Sequence, residues 1–525
     1  TVVDFSGGGT GNPLATLRIA GEAPTALVAG FGFSGADTMV ARLVSSSLFA
    51  LDDRGQPIPS DAESYTPNAD RTEHVFRLRE GLLWSDGTPY DAQTYVDSLL
   101  LKIQAGVVFN PPWLDGLYDV LFAGADVSAL GIEATDPRTL VVRSNAPVSF
   151  IERFLASAGD LHPIPGHLFA TAEDPADVLG AMTDPATFVG NGPYVLTEFT
   201  PASMVFERNP SYTGGAPGGV AEQVSVTVFE AIRSTQSFND FRTGNLDVAT
   251  VGWNDIPALQ SDADLAGRTT QIVWPNWTMI VPNHLRAPLD DVRVRQALYL
   301  AIDRDVIADV VLYGAALPQH GLLSPGYDGY DEAFRPIPVT DAAEEARRLL
   351  ADAGFPGGEG FPELSYITYG DASSDLISQT VVSMWDDVLG ISVRTQRLDP
   401  GRWYAAVITP EDPPAWGDLA DGPWPAAFRD PADTIPDLLF NGGPVFHHNW
   451  AMSDELLAAT NDALFQADPA TRSSGLASVN QAIMEQMPII PIALLNDIQV
   501  RGESIAGQFA AYGGEYYGLR YLSGA

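Results

Sequence analysis

Phe76-Arg77-Leu78-Arg79-Glu80-Gly81-Leu82-Leu83-Trp84-Ser85-Asp86-Gly87-Thr88-Pro89 is the stretch from which the rest of this chain can be read. Phe76 and Leu78 alternate with Arg77 and Arg79, the pattern of a half-buried strand over His74 to Arg79, and Gly81 ends it. Outward from there, Leu17 to Ala20 reads as an earlier strand. Gly192-Pro193 opens another over Tyr194 to Phe199, and Met204 to Arg208 returns antiparallel before the turn Asn209-Pro210. Helices follow. Asp290 or Asp291 caps one that runs through Val310, because Val294, Leu298, Ala301, Ile302 and Val306 fall at three- and four-residue spacings, and Gly314 stops it. Thr340 caps a second, with Ala346, Leu349, Leu350 and Ala353 on one face and Gly354 as its stop. Asp468-Pro469 starts a third, which ends before Pro488, and Ile489 to Leu495 is apolar throughout, a strand covered on both faces. Pro and Gly gather in 214–219, 354–362 and 410–425, the last reading as a long surface loop. Strands mixed with amphipathic helices, and no short-period repeat, give a mixed α/β chain and exclude a bundle, solenoid or propeller.

At 525 residues the chain is too long for one core and divides into two or three domains. Its 28 Lys+Arg against 67 Asp+Glu leave a net charge of −39, a field that repels phosphate backbones and anionic membranes, so nucleic acid is excluded as a partner. Cysteine is absent, which removes disulfides, thiol nucleophiles and Cys-type metal sites. No apolar run is long enough to span a bilayer. The chain opens on Thr1 and the polar, glycine-rich 6–11, which reads as a mature chain after removal of a signal. Lys102 is its only lysine, and no mechanistic weight falls on it.

Several motifs fail on inspection. Gly30-Phe31-Gly32-Phe33-Ser34-Gly35, with Asp52 downstream, matches the dinucleotide fingerprint, but Pro24 interrupts the required preceding strand and two Phe fill the variable positions. There is no GxSxG, HExxH or EF-hand loop. His447-His448 is the most tempting metal feature, yet adjacent strand residues face opposite ways, so no metal or cofactor is called. Asn276-Trp277-Thr278 fits a glycosylation sequon at near-chance expectation. The aromatics are more informative: Trp274, Trp277, Trp403, Tyr404, Trp416, Trp424, Phe428 and Trp450 crowd the second half, several beside Pro, Gly or Asn. About half should be core. The rest can wall a cleft for a small organic ligand.

The stretch 76–89 resembles the signature region of the extracellular solute-binding proteins of peptide, nickel and opine ABC importers. Gly190-Asn191-Gly192-Pro193-Tyr194, Glu207-Arg208-Asn209-Pro210-Ser211-Tyr212, Asp291 to Arg304 and Pro488-Ile489-Ile490-Pro491 resemble further blocks of that family, in the same order. The resemblance implies a two-lobe α/β periplasmic-binding-protein-like fold of type II, cluster C, with an extra domain inserted in the first lobe and the ligand enclosed between lobes. By analogy, lobe one is 1–47, 189–272 and 496–525, the extra domain 48–188, and lobe two 273–495, with hinges near Trp274 and Asn496. It further implies a monomer outside the cytoplasm, extracellular, cell-surface or periplasmic, lipid-anchored in its precursor, that hands a small molecule or short peptide to ABC transporter permease subunits and catalyses nothing.

One departure from the family bears on the ligand. Peptide-binding members carry a Trp-x-x-Asp-Tyr-x-Asp-Pro-like segment whose first Asp pairs with the ligand's ammonium. The matching stretch here is Trp424 to Pro431, with Ala427 at the Asp position and Phe428 at the Tyr. An ammonium buried without its carboxylate costs several kcal/mol, so free-amine peptides should bind poorly unless Asp418 or Asp421 substitutes. The expected ligand is therefore a small, uncharged or N-blocked amide-like compound. The candidate contacts are Phe33, Asn276, Trp277, Trp403, Trp424, Ala427, Phe428, Asp430, Asn449 and Trp450. The competing readings are an ordinary oligopeptide, a nickel chelate reached by His447 or His448, and an amide hydrolase.

Overall fold

The computed structural model describes residues 12–24, 27, 35–52, 55–106, 113–157, 161–169, 184–219, 221–230, 232–407, 417–439, 450–506 and 522–524. Two compact units emerge: Thr1–Ile272 with Asp497–Ala525, and Val273–Asn496, so the chain passes between them at 272/273 and 496/497.

The first unit is built on a seven-stranded sheet ordered Thr269–Ile272, Asp497–Arg501, Val248–Thr250, Leu14–Gly21, Ala221–Val228, Ser203–Arg208 and Tyr194–Phe199. Its last two strands form the antiparallel hairpin expected from Gly192-Pro193, with Tyr194 opposite Arg208. Leu17, Ile19, Met204, Phe206, Val224 and Val226 supply the core against the Gly35–Val44 helix. The same unit holds a four-stranded antiparallel sheet ordered Ala62–Pro67, Glu73–Leu78, Thr139–Arg143 and Ile132–Asp136.

The stretch 76–89 joins these two sheets. Phe76 and Leu78 are buried and Arg77 is exposed, as alternation requires. The chain then turns at Gly81 and Gly87, whose φ of 71° and 84° favour glycine. Ser85 N–H donates to Gly190 O at 2.8 Å, and Gly190 N–H returns to Ser85 Oγ at 3.2 Å. At Gly192 a Cβ would stand 2.3 Å from the backbone of Val44 and Ser45, so only glycine lets the second sequence block dock. Asp61 accepts from the hydroxyls of Ser46, Tyr90 and Tyr95 at 2.5, 2.8 and 2.7 Å, which ties the junction together.

The second unit carries a six-stranded mixed sheet ordered Ala316–Pro318, Ile490–Leu495, Asn276–Pro282, Leu419–Pro425, Leu364–Tyr369 and Val393–Leu398. The Ile490–Leu495 strand is buried at every position, as its unbroken apolar sequence requires. The Ala372–Leu389 helix connects the parallel pair Leu364–Tyr369 and Val393–Leu398.

Three expectations need correction. The helix capped by Asp291 spans only Val292–Leu300, and a separate π-helical turn covers Val306–Val311. Between them the buried Arg304 guanidinium takes the carbonyls of Tyr299 and Ile302, at 3.1 and 3.0 Å, which a continuous helix would need for its own ladder. The Ala342–Asp352 helix is capped by Asp341, whose side chain accepts from Glu344 N–H, and not by Thr340. Within the supposed loop 410–425, Leu419–Pro425 is a strand. It tolerates Pro423 and Pro425 because only Leu419 and Ala420 pair with the Leu364–Tyr369 strand, so neither proline owes that side an N–H.

Candidate functional site

The Asn276–Pro282 and Leu419–Pro425 strands run antiparallel with Trp277 directly opposite Trp424 and Met279 opposite Gly422. Alternation places Trp277, Met279, Gly422 and Trp424 on one face. Trp403, from the Pro400–Val407 helix, lies on that same face, because a Cβ on Gly422 would meet its ring at 2.3 Å. Three of the expected aromatics are thus brought together. Their exposure differs from an open wall, however. Trp403 is 2% exposed and packs with Ile367, Val407 and Ala420, while Trp277 is fully buried with its ring centroid 6.0 Å from Tyr327. Trp424 alone of the three is half-buried. Packing area is what indole rings supply in quantity, and Trp403 spends it inside the unit.

The turn after Trp424 is fastened at several points. Trp274 Nε1–H donates to Ala426 O at 2.9 Å and Ala426 N–H to Pro275 O at 2.8 Å, so this turn continues the two strands. Ala427 is exposed, and its N–H donates to Asp433 Oδ2 at 2.8 Å, while Phe428 is 6% exposed. Asp430, expected among the ligand contacts, has another task. It is fully buried, its two oxygens accept the Arg472 fork at 2.5 and 3.0 Å, and Arg472 also reaches Asp328. Its Oδ1 accepts from Ala432 N–H at 2.9 Å as well, which leaves it a clamp for the turn.

Neither acid offered as a substitute stands free. Asp418 accepts from Ser365 N–H and Oγ–H at 2.8 and 2.7 Å and pairs with Arg286 at 3.2 Å. Asp421, 2% exposed, accepts from Tyr369 N–H at 2.7 Å and the Tyr366 hydroxyl at 3.2 Å; burial pushes its carboxyl well above the usual range. Asp433 was not anticipated. Burial likewise raises its carboxyl, with the charges of Asp437 and Asp430 adding, against the N–H groups of Ala427 and Phe428 that favour the anion.

Uncharged polar atoms are where this sheet lacks partners. Asn276 Oδ1, Trp277 Nε1, Trp403 Nε1 and both amide atoms of Asn496 are buried without a hydrogen bond among the described residues. Asn276 begins its strand, half-buried, on the face opposite Trp277. Asn496 follows the Ile490–Leu495 strand at the crossing to the other unit, where sequence reasoning saw only a hinge. Nothing in its spacing marked it, because its isolation depends on neighbours brought in by the sheet. Trp450 is half-buried, ahead of the Asp454–Leu464 helix. Phe33, Asn449, His447, His448 and Trp416 lie outside the described residues, as do the glycine-rich start and most of the 30–35 motif. Among the described residues no group of three or more His, Cys, Asp or Glu side chains is placed to hold a metal ion.

Comparison with known proteins gives a consistent outcome. Residues 56–437 match the family described as bacterial extracellular solute-binding proteins, family 5. The probable deoxycholate-binding periplasmic protein YgiS of Escherichia coli K12 is 29% identical over 462 residues, covering 84% of this chain and 81% of that protein. The periplasmic oligopeptide-binding protein OppA of Salmonella typhimurium LT2 is 27% identical over 486 residues, 87% of this chain and 82% of that one. Among solved structures, a periplasmic oligopeptide-binding protein of Borrelia burgdorferi superposes with a TM-score of 0.80 at 21% identity, covering 97% of this chain and all of the other, which establishes the fold.

Proposed function

This chain belongs to the bacterial extracellular solute-binding proteins of family 5, and from that premise we propose that its cargo is a small, uncharged or N-blocked amide-like compound. As such a protein it is the substrate-binding component of an ABC importer and delivers its cargo to the permease subunits. It binds without catalysis, as a monomer outside the cytoplasm, and a lipid anchor belongs to this reading on the strength of the family alone. The ligands for which its relatives are named span a bile acid and oligopeptides, so family membership leaves the cargo open.

One observation carries the choice. At Ala427 the turn presents a methyl group, and the acids that flank it in the sequence, Asp418, Asp421, Asp430 and Asp433, already accept from protein donors, Asp433 from the Ala427 N–H itself. An incoming ammonium would have to share a carboxylate already committed to those donors, and one left without a carboxylate costs several kcal/mol for a desolvated charge. A neutral ligand owes nothing of the kind. Of the four, Asp433 is the acid an ordinary peptide would recruit, since its carboxyl already touches the Ala427 N–H.

Tryptophan-fluorescence titration of the whole chain with trialanine and with N-acetyl-trialaninamide tests the reading. Binding of the blocked peptide with little or none of the free one is the expected result; binding of trialanine alone overturns it. Mass spectrometry of the same mixtures should return intact peptide, and a cleavage product would make the chain an amide hydrolase instead.

A further inference from the structure

We propose that Tyr118, Phe122 and Val127, with the acids on the same segment, form a docking surface for a basic segment of the importer's permease. The inference rests on the reading of this chain as an importer's binding component and adds the surface that meets the partner. The segment 115–131 closes on itself. Gly131 N–H donates to Asp115 O at 2.8 Å, and Arg143 N–H donates to Gly131 O at 2.6 Å. A Cβ on Gly116, whose φ is 72°, would stand 2.1 Å from Ala129 O, so the two ends of the segment lie against each other. Between them the Leu117–Phe122 helix buries Leu117 and leaves Tyr118 and Phe122 outside. Four residues apart on a helix, the two rings meet with centroids 5.2 Å apart. Among the described residues they are the most exposed large apolar side chains, at 67% and 66%, and Val127 is 44% exposed. Aromatic rings of this kind bury about 150–250 Å² each, which suits the centre of an interface of about 800 Å² a side. Clustered exposed apolar groups of this sort mark interaction sites.

Charge decides the occupant. Asp115, Asp119 and Asp126 are exposed on this segment, and between residues 103 and 137 the chain holds five acids and no Lys, Arg or His. A second copy would set these acids against their own images, and an anionic bilayer would meet a chain of net charge −39, so both are repelled. A basic protein surface is attracted. Arg fits best, because its guanidinium stacks within about 6 Å of a Tyr or Phe ring centroid while its fork takes a carboxylate. The permease subunits that receive the cargo are the protein partner an importer's binding component requires.

The test replaces Tyr118 by the photocrosslinker p-benzoyl-phenylalanine in the full chain, produced in cells that carry its importer. Identical replacements at Leu285 and Val310, 63% and 65% exposed in the other unit, serve for comparison. After irradiation, mass spectrometry should find position 118 joined to a permease subunit through a peptide that holds Arg or Lys. Asp119→Arg in the same chain, its thermal midpoint checked, should cut that adduct about tenfold by opposing the basic segment, and Asp119→Asn should cut it less. An adduct unchanged by Asp119→Arg overturns the proposal. Position 118 joined only to a second copy of this chain, or only to lipid, overturns it in favour of a dimer or a membrane contact. Permease adducts at 285 or 310 with none at 118 overturn the surface and leave the importer reading standing; no permease adduct at any of the three also overturns the surface. Tyr118→Ser with Phe122→Ser should leave the titrations with trialanine and N-acetyl-trialaninamide unchanged, and lost peptide binding would put the rings in the cargo site and overturn docking. A permease adduct at 118 supports the surface even where trialanine alone binds and the neutral-cargo reading falls.

Discussion

Asp421 shows how much a single side chain decides here. In the folded chain burial lifts its pKa well above the ordinary value, so as the pH rises the unfolded chain releases this proton before the native state does. The stability linked to this group is therefore full below about pH 3.9, the unfolded Asp value, and is lost as the pH rises toward the folded one. Asp421→Asn, which keeps the shape and sheds the charge, should raise the thermal midpoint at pH 7.5, with the gain shrinking as the pH falls to 4. A gain that grows toward acid would show that Asp421 is ionised and favourably paired in the native state. Asp430 differs in kind, because Arg472 supplies the countercharge that Asp421 lacks. The sequence places these two acids nine residues apart and says nothing of the difference. It does expose the substitution at Ala427, since a missing carboxylate is visible in a string of letters.

At the scale of elements, helix caps and strand periods were legible because their causes are local. Asp291, Asp468 and the turn glycines act within a few residues of themselves. The Leu419–Pro425 strand escaped because prolines argue against a strand, and only its neighbours reveal that the prolines sit where one side needs no donor. Gly422 within it has a specific reason to be glycine. A methyl there would drive into the Trp403 ring, so Gly422→Ala should cost about 1–3 kcal/mol, the usual range for overpacking a core, and shift the Trp403 emission. Urea unfolding followed by fluorescence checks both, and a variant as stable as the wild type with unaltered emission would place the Trp403 ring elsewhere.

For the whole molecule, a charge of −39 on 525 residues sets a net self-repulsion that screening relieves. Raising NaCl from about 0.01 M to 0.15 M contracts the Debye length from about 30 Å to about 8 Å. The thermal midpoint of the whole chain should rise across that range, and a flat or falling midpoint would mean that its surface ion pairs, such as Arg348 between Glu345 and Asp352, outweigh the repulsion. With two units the melt can show two steps, each to be followed on its own.

The sequence by itself determined the α/β class, the hairpin at 194–208, the fully buried late strand, the resemblance to solute-binding proteins and the missing acid at Ala427. Each of these depends on periodicity, on local backbone chemistry, or on blocks of residues matched in order. Only the tertiary structure decided that Trp403 and Trp277 are closed off, that Asp430 is committed to Arg472, that Asp418 and Asp421 are already engaged, and that both amide atoms of Asn496 are buried without a hydrogen bond among the described residues. The physical reason is the same in every case. Whether a polar side chain is free depends on partners such as Arg472 for Asp430, Tyr369 for Asp421 and Ser365 for Asp418, 42, 52 and 53 residues away in the chain, and no local pattern encodes their arrival.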